Sequence, residues 1–420
     1  MIIKKLHQEF LASSGICTDT RKITKKCLFV ALKGDNFNGN TFAREALKKG
    51  AYKVIIDESE FQNDQTILVK DSLTALQQLA AFHKKHLGLP ILSLTGSNGK
   101  TTTKELINAV LSKKFNTVAT KGNLNNHIGV PLTLLSMTSE TELGIVEMGA
   151  NHLHEIESLC KIAQPDYGYI TNFGKAHLEG FGSLEGVIKG KSELYHYLEN
   201  ENKTVFVNGN DTKQLELTKN IDRVVFDDSI IKLIDASNEI KVKFKNIEIQ
   251  SNLVGLYNFS NIAAAIAIGD YFNISEEDIK TAIESYIPQN NRSQRIEKSG
   301  HKIILDAYNA NPTSMMAALE NFKQAEGNQK ILILGDMFEM GGEAEKEHQH
   351  IVDYLESTSL GKAYLVGSNF NSTKVEDTHI NTFESFDTFK KQFASQDFKN
   401  CFFLIKGSRG MALERVLDLL

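Results

Sequence analysis

A glycine-rich run in the first quarter of the chain has the residue types of a phosphate-binding loop. It reads TGSNGKTTTKEL over residues 95–106 and follows the apolar stretch ILSL. A strand, a turn and a helix that begins near Lys100 would direct backbone N–H groups and a helix N-terminus at phosphate oxygens. The common pattern, G-x-x-x-x-G-K-[ST], requires a glycine where this chain has Leu94. The run therefore favours nucleotide binding over a turn with an ordinary surface lysine, although the first glycine of the common pattern is missing.

Three residues in or after this run could contribute to the same chemistry. Lys100 could neutralise phosphate charge, and the Thr101 hydroxyl could hold Mg²⁺. Glu147 ends the apolar strand LGIVEM, where a carboxylate could bind Mg²⁺ or position a water, although a solvated strand end is an equally open reading. His177, in the loop GKAHLEGFGS, is by itself more typical of a surface residue than of a ligand.

A lysine on the apolar face of a predicted helix is more informative. Lys191 lies on that face, whereas Lys189 points away from it. The face is defined by apolar residues at helical spacing: Val187, Ile188, Leu194, Tyr195 and Leu198. Burial favours the neutral amine, which can react with CO₂ to give an anionic carbamate able to bind a metal. The alternative is a lysine whose stem packs while its charged head reaches water.

Composition sets the broad class. The chain has 420 residues, more than one ordinary domain needs, with 41% apolar and 24% charged residues, as in a soluble globular protein. A net charge of −5 gives no basic surface for nucleic acid. We expect no signal peptide and no membrane span, which needs about 18 apolar residues. The four cysteines form no CxxC pair, which favours free thiols in a reducing cytoplasm.

The order of apolar and polar segments predicts an α/β protein of three domains, with boundaries at 1–88, 89–290 and 291–420. In the second and third segments, apolar strands run into polar loops and helices often follow, which indicates parallel sheets covered on both faces. The run IKVKFKNIEIQ at 240–250 alternates with period two and predicts an antiparallel strand or hairpin. Ligands of parallel sheets collect at the carboxyl ends of the strands, where Lys100 and the other candidates lie.

Taken together, these runs resemble the Mur ligases. In that family the ATP loop has the form TG-[ST]-N-G-K-T and does not need the earlier glycine. Further runs follow in the family's order over nearly the whole chain: TDTR, ALKG, GNLNNHIGVPLTLL, EMGAN, AHLEGFGSLEGV, GKSEL, LYNFSNIAAAIAIG, DAYNANPTSM, LGDMFEMG and KGSRGMALE. AHLEGFGS together with YNANP is similar to the branch that adds D-alanyl-D-alanine, and the D-N-P-R motif of the branch that adds the third amino acid does not occur.

The resemblance implies a fold and an activity. It implies a small α/β domain that binds the UDP-sugar, a central parallel-sheet domain that binds ATP, and a Rossmann-like C-terminal domain. The implied activity is ATP-dependent ligation of D-alanyl-D-alanine to UDP-N-acetylmuramoyl-tripeptide through an acyl phosphate, in cytoplasmic peptidoglycan synthesis. ATP, Mg²⁺ and a carbamylated Lys191 would be the cofactors, and a monomer without nucleic-acid or membrane partners is expected.

Two other functions stay open at this point. A folylpolyglutamate-type ligase shares the ATP loop but lacks the N-terminal uridine-binding segment. A non-catalytic nucleotide-binding relative would have kept the fold and lost the chemistry, which predicts damage at the metal or carbamate positions. Those positions are intact in this chain.

The resemblance also assigns roles to individual positions. The residues implied for ATP are Thr95, Gly96, Ser97, Asn98, Gly99, Lys100, Thr101 and Thr102 in the loop, Asn258 and Asn261 by the adenine, and Arg295 and Asp306 at the phosphates and ribose. The implied metal ligands are Thr101, Glu147, His177 and the carbamate of Lys191. The implied substrate contacts are Thr20, Arg21, Lys33, Gly34 and Asn126 for the UDP-sugar, and Tyr308, Asn309 and Asn311 near the dipeptide or nucleotide. The implied catalytic set is Lys100, Glu147, His177, Lys191 and Arg295.

Two departures from the family pattern affect these roles. The family usually has D-D-S-Y-N-A-N-P, whereas this chain has Leu305 and Ala307 on either side of Asp306, so one acid remains for the ribose. The first segment reads FNGNTF where D-G-H-x-F is usual, which removes an aspartate and a histidine from the expected UDP contacts.

Overall fold

The structure is a computed structural model that describes residues 2–289, 291–396 and 398–420. The larger sheets lie in three successive segments of the chain and are mostly parallel, which confirms the predicted α/β class. Among the described residues, no helix is both long enough and apolar enough to cross a bilayer.

The N-terminal segment contains a four-stranded parallel sheet of order β1-β2-β5-β6 and a separate two-stranded hairpin, β3-β4. Its elements are α1 (Ile2–Leu11), β1 (Ile16–Cys17), β2 (Leu28–Val30), β3 (Lys33–Gly34), β4 (Phe37–Asn38), α2 (Ala43–Lys48), β5 (Lys53–Ile56), β6 (Thr66–Leu68) and α3 (Ser72–Leu87). The last helix begins at an Asp71 side chain that accepts the Thr74 N–H and ends at Gly88 in the left-handed conformation.

The central segment is built on a six-stranded parallel sheet of order β12-β11-β10-β7-β9-β8. Its elements are β7 (Ile91–Thr95), α4 (Lys100–Leu111), β8 (Thr117–Ala119), α5 (Gly129–Leu135), β9 (Leu143–Glu147), α6 (Glu155–Ala163), β10 (Tyr167–Ile170), α7 (Leu178–Phe181), α8 (Leu184–Asn200), β11 (Thr204–Asn208), α9 (Thr212–Leu217), β12 (Arg223–Phe226), β13 (Ile231–Asp235), β14 (Glu239–Phe244), β15 (Ile247–Val254), α10 (Phe259–Tyr271) and α11 (Glu276–Ser285). Strands β7 and β9 are buried along their whole length, as expected for parallel strands covered on both faces.

A smaller antiparallel sheet, β13-β14-β15, is added to the central segment. Strands β14 and β15 form a hairpin in which Phe244 pairs with Ile247, so the predicted antiparallel hairpin is confirmed. Ile240, Val242 and Phe244 are buried on one face, which explains the period-two pattern of this run.

The C-terminal segment repeats the parallel plan in a six-stranded sheet of order β16-β17-β21-β18-β19-β20, in which only β16 runs antiparallel to its neighbour. Its elements are β16 (Gln294–Lys298), β17 (His301–Asp306), α12 (Pro312–Gln324), β18 (Lys330–Gly335), α13 (Ala344–Thr358), β19 (Lys362–Val366), α14 (Ser368–Asn371), β20 (Ile380–Phe383), α15 (Phe386–Phe393) and β21 (Phe402–Lys406).

A buried chain of two histidines joins the N-terminal segment to the central one. His83 Nε2 lies 3.0 Å from the Met137 carbonyl oxygen, and His83 Nδ1 lies 3.0 Å from His7 Nε2. Because the carbonyl can only accept, His83 donates from Nε2 and accepts from His7 Nε2 at Nδ1, so the His83 ring is neutral. Burial, together with repulsion from His83 and His86, lowers the pKa of His7 to about 4.

This chain predicts an acid-sensitive contribution to stability. In the unfolded state His7 titrates near its ordinary pKa, so between about pH 6.5 and pH 4 the unfolded state binds the proton and the free energy of unfolding falls as the pH falls. Between pH 7 and pH 5 the His7 contribution is about 2 kcal/mol. Urea unfolding should therefore show a smaller loss of stability for His7→Gln than for the wild type over that range. The exposed His196, changed to Gln, is the control; equal losses in all three proteins would contradict the prediction.

Candidate active site

The phosphate loop lies between β7 and α4 and depends on two glycines. Gly96 and Gly99 have φ values of +140° and +79°, a region that favours glycine. A Cβ on Gly99 would lie 2.5 Å from Asn261 Oδ1, and one on Gly96 would lie 2.0 Å from Thr171 Oγ1. The turn is therefore closed from behind by neighbouring side chains, and its free side faces a cavity.

Lys100 is the first residue of α4 and folds back over the loop. Its Nζ donates to the Gly96 carbonyl at 2.7 Å and to the Ser97 carbonyl at 3.2 Å. Burial lowers the pKa of Lys100; the Glu147 carboxylate opposes this shift and the Arg292 guanidinium adds to it. Lys100 therefore lies at the cavity with its amine held by two carbonyl oxygens of the loop.

Glu147 ends β9 with its side chain almost completely buried, at 1% exposure. Its carboxylate accepts from Thr101 Oγ1 at 2.9 Å and from Asn125 Nδ2 at 2.8 Å. A hydroxyl beside a carboxylate at a phosphate loop is the oxygen donor set that Mg²⁺ uses, with nucleotide phosphates and waters completing its shell. Within the described part of the chain, no group of three His, Cys, Asp or Glu side chains could hold a metal alone.

His177 precedes α7 in the left-handed conformation, with a φ of +53°. Its Nδ1 is hydrogen-bonded to the Glu339 carboxylate of the C-terminal segment, and this bond lowers the pKa of Glu339. Both side chains line the cavity. A carboxylate on one ring nitrogen fixes the imidazole and leaves the other nitrogen for a ligand, as in many metal-bound histidines.

Lys191 is completely buried on α8, with 0% exposure, so its head does not reach water. Its Nζ donates to the Ala150 carbonyl at 2.9 Å and lies 5.1 Å from the centre of the Phe181 ring. Burial lowers its pKa well below the ordinary value, with repulsion from Lys100 adding to the shift and Glu155 and Glu193 opposing it. This shift favours the neutral amine, which is the nucleophile that attacks CO₂ when a carbamate forms.

A cavity of about 980 Å³ brings most of the predicted residues together and is lined by side chains of all three segments, including Leu73 and Gln77 from the first. The predicted residues that line it are Ser97, Asn98, Gly99, Lys100, Thr101, Thr102, Asn126, Glu147, His177, Asn258, Asn261, Asp306, Tyr308, Asn309 and Asn311. Those that do not line it are Thr20, Arg21, Lys33, Gly34, Thr95, Gly96, Lys191 and Arg295.

Asn258 and Asn261 support the phosphate loop from behind. Asn261 accepts from Thr103 Oγ1 at 3.0 Å and donates to Asn258 Oδ1 at 2.8 Å, and Asn258 donates to the Val254 carbonyl at 2.7 Å. Both amides are thus satisfied within the protein, which gives them a bracing role at the edge of the cavity. Their contact with adenine stays a prediction.

The predicted UDP contacts of the N-terminal segment lie apart from this cavity. Arg21 is paired with Asp19 at 2.8 Å, and Lys33 lies 3.2 Å from Asp57. In the run FNGNTF, which differs from the family's usual D-G-H-x-F, Asn40 is fully buried and its Nδ2 donates to Asp57 at 2.8 Å. Asn40 therefore helps to fix the position of the Asp57 carboxylate beside Lys33. The UDP roles of these residues stay predictions.

Arg295 is the residue whose placement departs from expectation. It lies on β16 and forms an ion pair with Glu239 of β14, outside the cavity. Arg292, three residues earlier, lines the cavity instead, with its guanidinium carbon 3.7 Å from the centre of the Tyr308 ring. Arg292 therefore lies in the cavity where Arg295 was expected, because β16 carries Arg295 away from it, and which arginine contacts phosphate stays a prediction.

Sequence reasoning also missed Lys406, which ends β21, and Arg409, which follows that strand. Lys406 is 2% exposed, pairs with Asp306 at 2.5 Å and donates to the Asn309 carbonyl at 3.3 Å. Arg409 lines the cavity near Tyr308. The signal was available, since KGSRG is a glycine-containing loop at the carboxyl end of a strand, where ligands of parallel sheets bind.

Comparisons with known proteins agree with this geometry. Three family models match the chain: the Mur ligase family catalytic domain at residues 13–84, the Mur ligase middle domain at 94–269 and the Mur ligase glutamate ligase domain at 291–409. The UDP-N-acetylmuramoyl-tripeptide–D-alanyl-D-alanine ligase of Bacillus subtilis (strain 168) is 36% identical over 96% of this chain and 92% of its own length.

Two solved structures show the same fold over nearly the whole chain. A crystal structure of MurF from Acinetobacter baumannii matches with a TM-score of 0.87 at 29% identity, covering 99% of this chain and 98% of its own. The MurF ligase from Thermotoga maritima in complex with ADP matches with a TM-score of 0.86 at 27% identity, covering 97% of each chain.

The two arginines form a matched pair for a test of the site. Arg292→Ala should weaken ATP binding by roughly 10-fold or more, the value of a charged hydrogen bond to phosphate. Arg295→Ala removes an exposed ion pair and should leave ATP affinity nearly unchanged. Titration calorimetry with a non-hydrolysable ATP analogue measures both. An equal loss of analogue affinity in both variants, or a larger loss for Arg295→Ala, would contradict the assignment of the phosphate contact to Arg292.

Proposed function

The chain belongs to the Mur ligase family, and we propose that it joins D-alanyl-D-alanine to UDP-N-acetylmuramoyl-tripeptide while ATP is converted to ADP and phosphate. The observation that carries the proposal is one cavity that brings the phosphate loop and the YNANP loop together. Asn311 Nδ2 donates to Asn98 Oδ1 across the two segments at 2.8 Å. The full-length likeness to ligases of that name supports the choice of substrates.

The reaction proceeds in two steps at this cavity. The terminal carboxylate of the tripeptide takes the γ-phosphoryl group of ATP, giving an acyl phosphate and ADP. The amine of D-alanyl-D-alanine then attacks the acyl carbon, and the tetrahedral intermediate loses phosphate to leave the new amide. Both steps move negative charge between oxygens, so preorganised cations accelerate them.

This chain supplies those cations from opposite sides. Lys100 comes from the phosphate loop and Arg292 from the C-terminal segment, where Tyr308 supports its guanidinium. The Glu147 carboxylate and the Thr101 hydroxyl would hold Mg²⁺, which neutralises phosphate charge when bound. Side chains of all three segments line the cavity, and their closure around bound substrates would exclude water, which would otherwise hydrolyse the acyl phosphate.

Several parts of the sequence prediction remain part of this proposal. The domain boundaries at 1–88, 89–290 and 291–420 are supported by sheets that lie within those ranges. His177 and a carbamylated Lys191 would hold a second Mg²⁺. The expected monomer stays a prediction. The supply of ATP and UDP-linked precursors places the enzyme in the cytoplasm.

Phosphate release tests the function directly. With ATP and a UDP-linked tripeptide, supplied in turn with lysine or diaminopimelate as third residue, we expect phosphate release only when D-alanyl-D-alanine is added. Lys100→Ala should lower the rate by about 10³-fold, since it removes a contact to transferring phosphoryl oxygens, while the fold is kept. Turnover with a folate and glutamate instead would favour a folylpolyglutamate-type ligase, and no turnover with either pair would favour a non-catalytic relative.

The buried lysine gives a second test. If Lys191 carries a carbamate that binds metal, Lys191→Ala and Lys191→Arg should both be nearly inactive, because neither can form the anion. Lys191→Glu should regain part of the activity, since it places a carboxylate in roughly the same space. Mass spectrometry under ¹³CO₂ with chemical trapping should label Lys191. Full activity of Lys191→Ala would leave this lysine with a packing role alone.

A further inference from the structure

The loop at 172–177, between β10 and α7, is bonded directly to the phosphate loop. Ser97 Oγ donates to the Gly174 carbonyl at 2.8 Å and accepts the Gly174 N–H at 2.9 Å. Asn172 accepts the Asn98 N–H at 3.0 Å and donates to the Asn98 carbonyl at 3.0 Å. These four bonds fix the position of the 172–177 loop to that of the nucleotide loop.

The next residue of the same loop contacts the C-terminal segment. The Lys175 N–H donates to Thr313 Oγ1 at 3.0 Å, at the start of α12. Its Nζ lies 2.5 Å from Glu347 Oε1 on α13. Neither Lys175 nor Glu347 lines the cavity, so this contact lies outside the ligand site.

Lys175 belongs to the central segment and Glu347 to the C-terminal one, and the two side chains differ in burial. Glu347 is 3% exposed, whereas the Lys175 side chain is 46% exposed. Among the described residues, Lys175 is the only ion-pair partner of Glu347. A buried carboxylate has lost its hydration and is stabilised by a nearby cation. If the segments separate, Glu347 loses its contact with Lys175, and the ion pair no longer stabilises the Glu347 charge.

We propose that Lys175 and Glu347 are positioning residues that hold the C-terminal segment in its closed place and couple that closure to the phosphate loop through Gly174. A nucleotide that orders Ser97 and Asn98 would set the position of Lys175 and so favour the pair with Glu347. Closure places Tyr308 and Asn311 against the nucleotide. The catalytic part of this inference rests on the proposed function, whereas the closure itself does not.

A half-exposed ion pair often contributes little, so the test needs a matched control. Lys245 and Asp270 form a pair of 2.6 Å within the central segment, with both side chains 43% exposed. The variants are Lys175→Gln, Glu347→Gln, their double variant, and Lys245→Gln as the control. Each substitution replaces a charged side chain by a neutral amide, and Lys175→Gln and Lys245→Gln make the same chemical change at the two sites.

Small-angle X-ray scattering of the full chain, with and without a non-hydrolysable ATP analogue, measures closure. We expect the analogue to reduce the radius of gyration of the wild type and of the Lys245→Gln control. The reduction should be smaller in the latch variants, by which we mean Lys175→Gln and Glu347→Gln. The turnover number should fall roughly tenfold in Lys175→Gln and in Glu347→Gln. Analogue affinity should fall as well, because a nucleotide that favours the ion pair must itself bind more tightly when the pair is present. The double variant should lose no more than the worse single variant, because the two residues act as one unit.

The opposite results overturn the inference. They are wild-type compaction and turnover in the latch variants, additive losses in the double variant, or the same loss in Lys245→Gln. A latch variant whose thermal unfolding falls well below that of the control would show a structural role only. If the wild type failed to ligate, the proposed function would fail, and the scattering comparison would still decide whether this pair controls closure.

Discussion

The narrow turn of the phosphate loop constrains the rest of the site. With Asn261 behind Gly99 and Thr171 behind Gly96, the turn has no room to relax towards the sheet. Its backbone and side chains are bonded to the 172–177 loop and to Asn311 of the C-terminal segment. The position of the phosphate loop therefore determines where the 172–177 loop and the start of α12 must lie.

Buried ionisable side chains are the second physical theme of this structure. Besides Glu147 and Lys191, the central segment buries Lys104 completely, with Nζ 2.6 Å from the Thr120 carbonyl and 2.8 Å from Glu105. Thr120 in turn accepts the Glu147 N–H at 3.0 Å. Each buried charge costs free energy unless it is paired, and such groups concentrate where chemistry is done.

The cationic side chains around the cavity repel one another as long as no anion is bound between them. Lys100 and Arg292 come from different segments and line the same cavity, and Arg292 adds to the lowering of the Lys100 pKa. A polyanionic ligand between them would remove that repulsion and draw the segments together. Binding of nucleotide and enclosure of the reaction are therefore consequences of the same charges.

The sequence by itself determined features that depend on neighbours along the chain. The phosphate loop follows from a local motif, and the alternation of strands and helices and the β14-β15 hairpin follow from local spacing, because period 3.6 or period 2 assigns each residue to a face. The same spacing placed Lys191 on the apolar face of α8 but left open whether its head reaches water, which the tertiary structure decided. Confirmation of the family and its activity came from full-length comparison.

Only the tertiary structure decided which distant residues meet. Arg292 and Arg295 are three residues apart and equally basic, yet the pairing of β16 and β17 sends one to the cavity and the other to Glu239. Glu339 on His177, and Glu347 on Lys175, join residues more than 160 positions apart. Their meeting depends on how whole segments pack, and local periodicity contains no information about that packing.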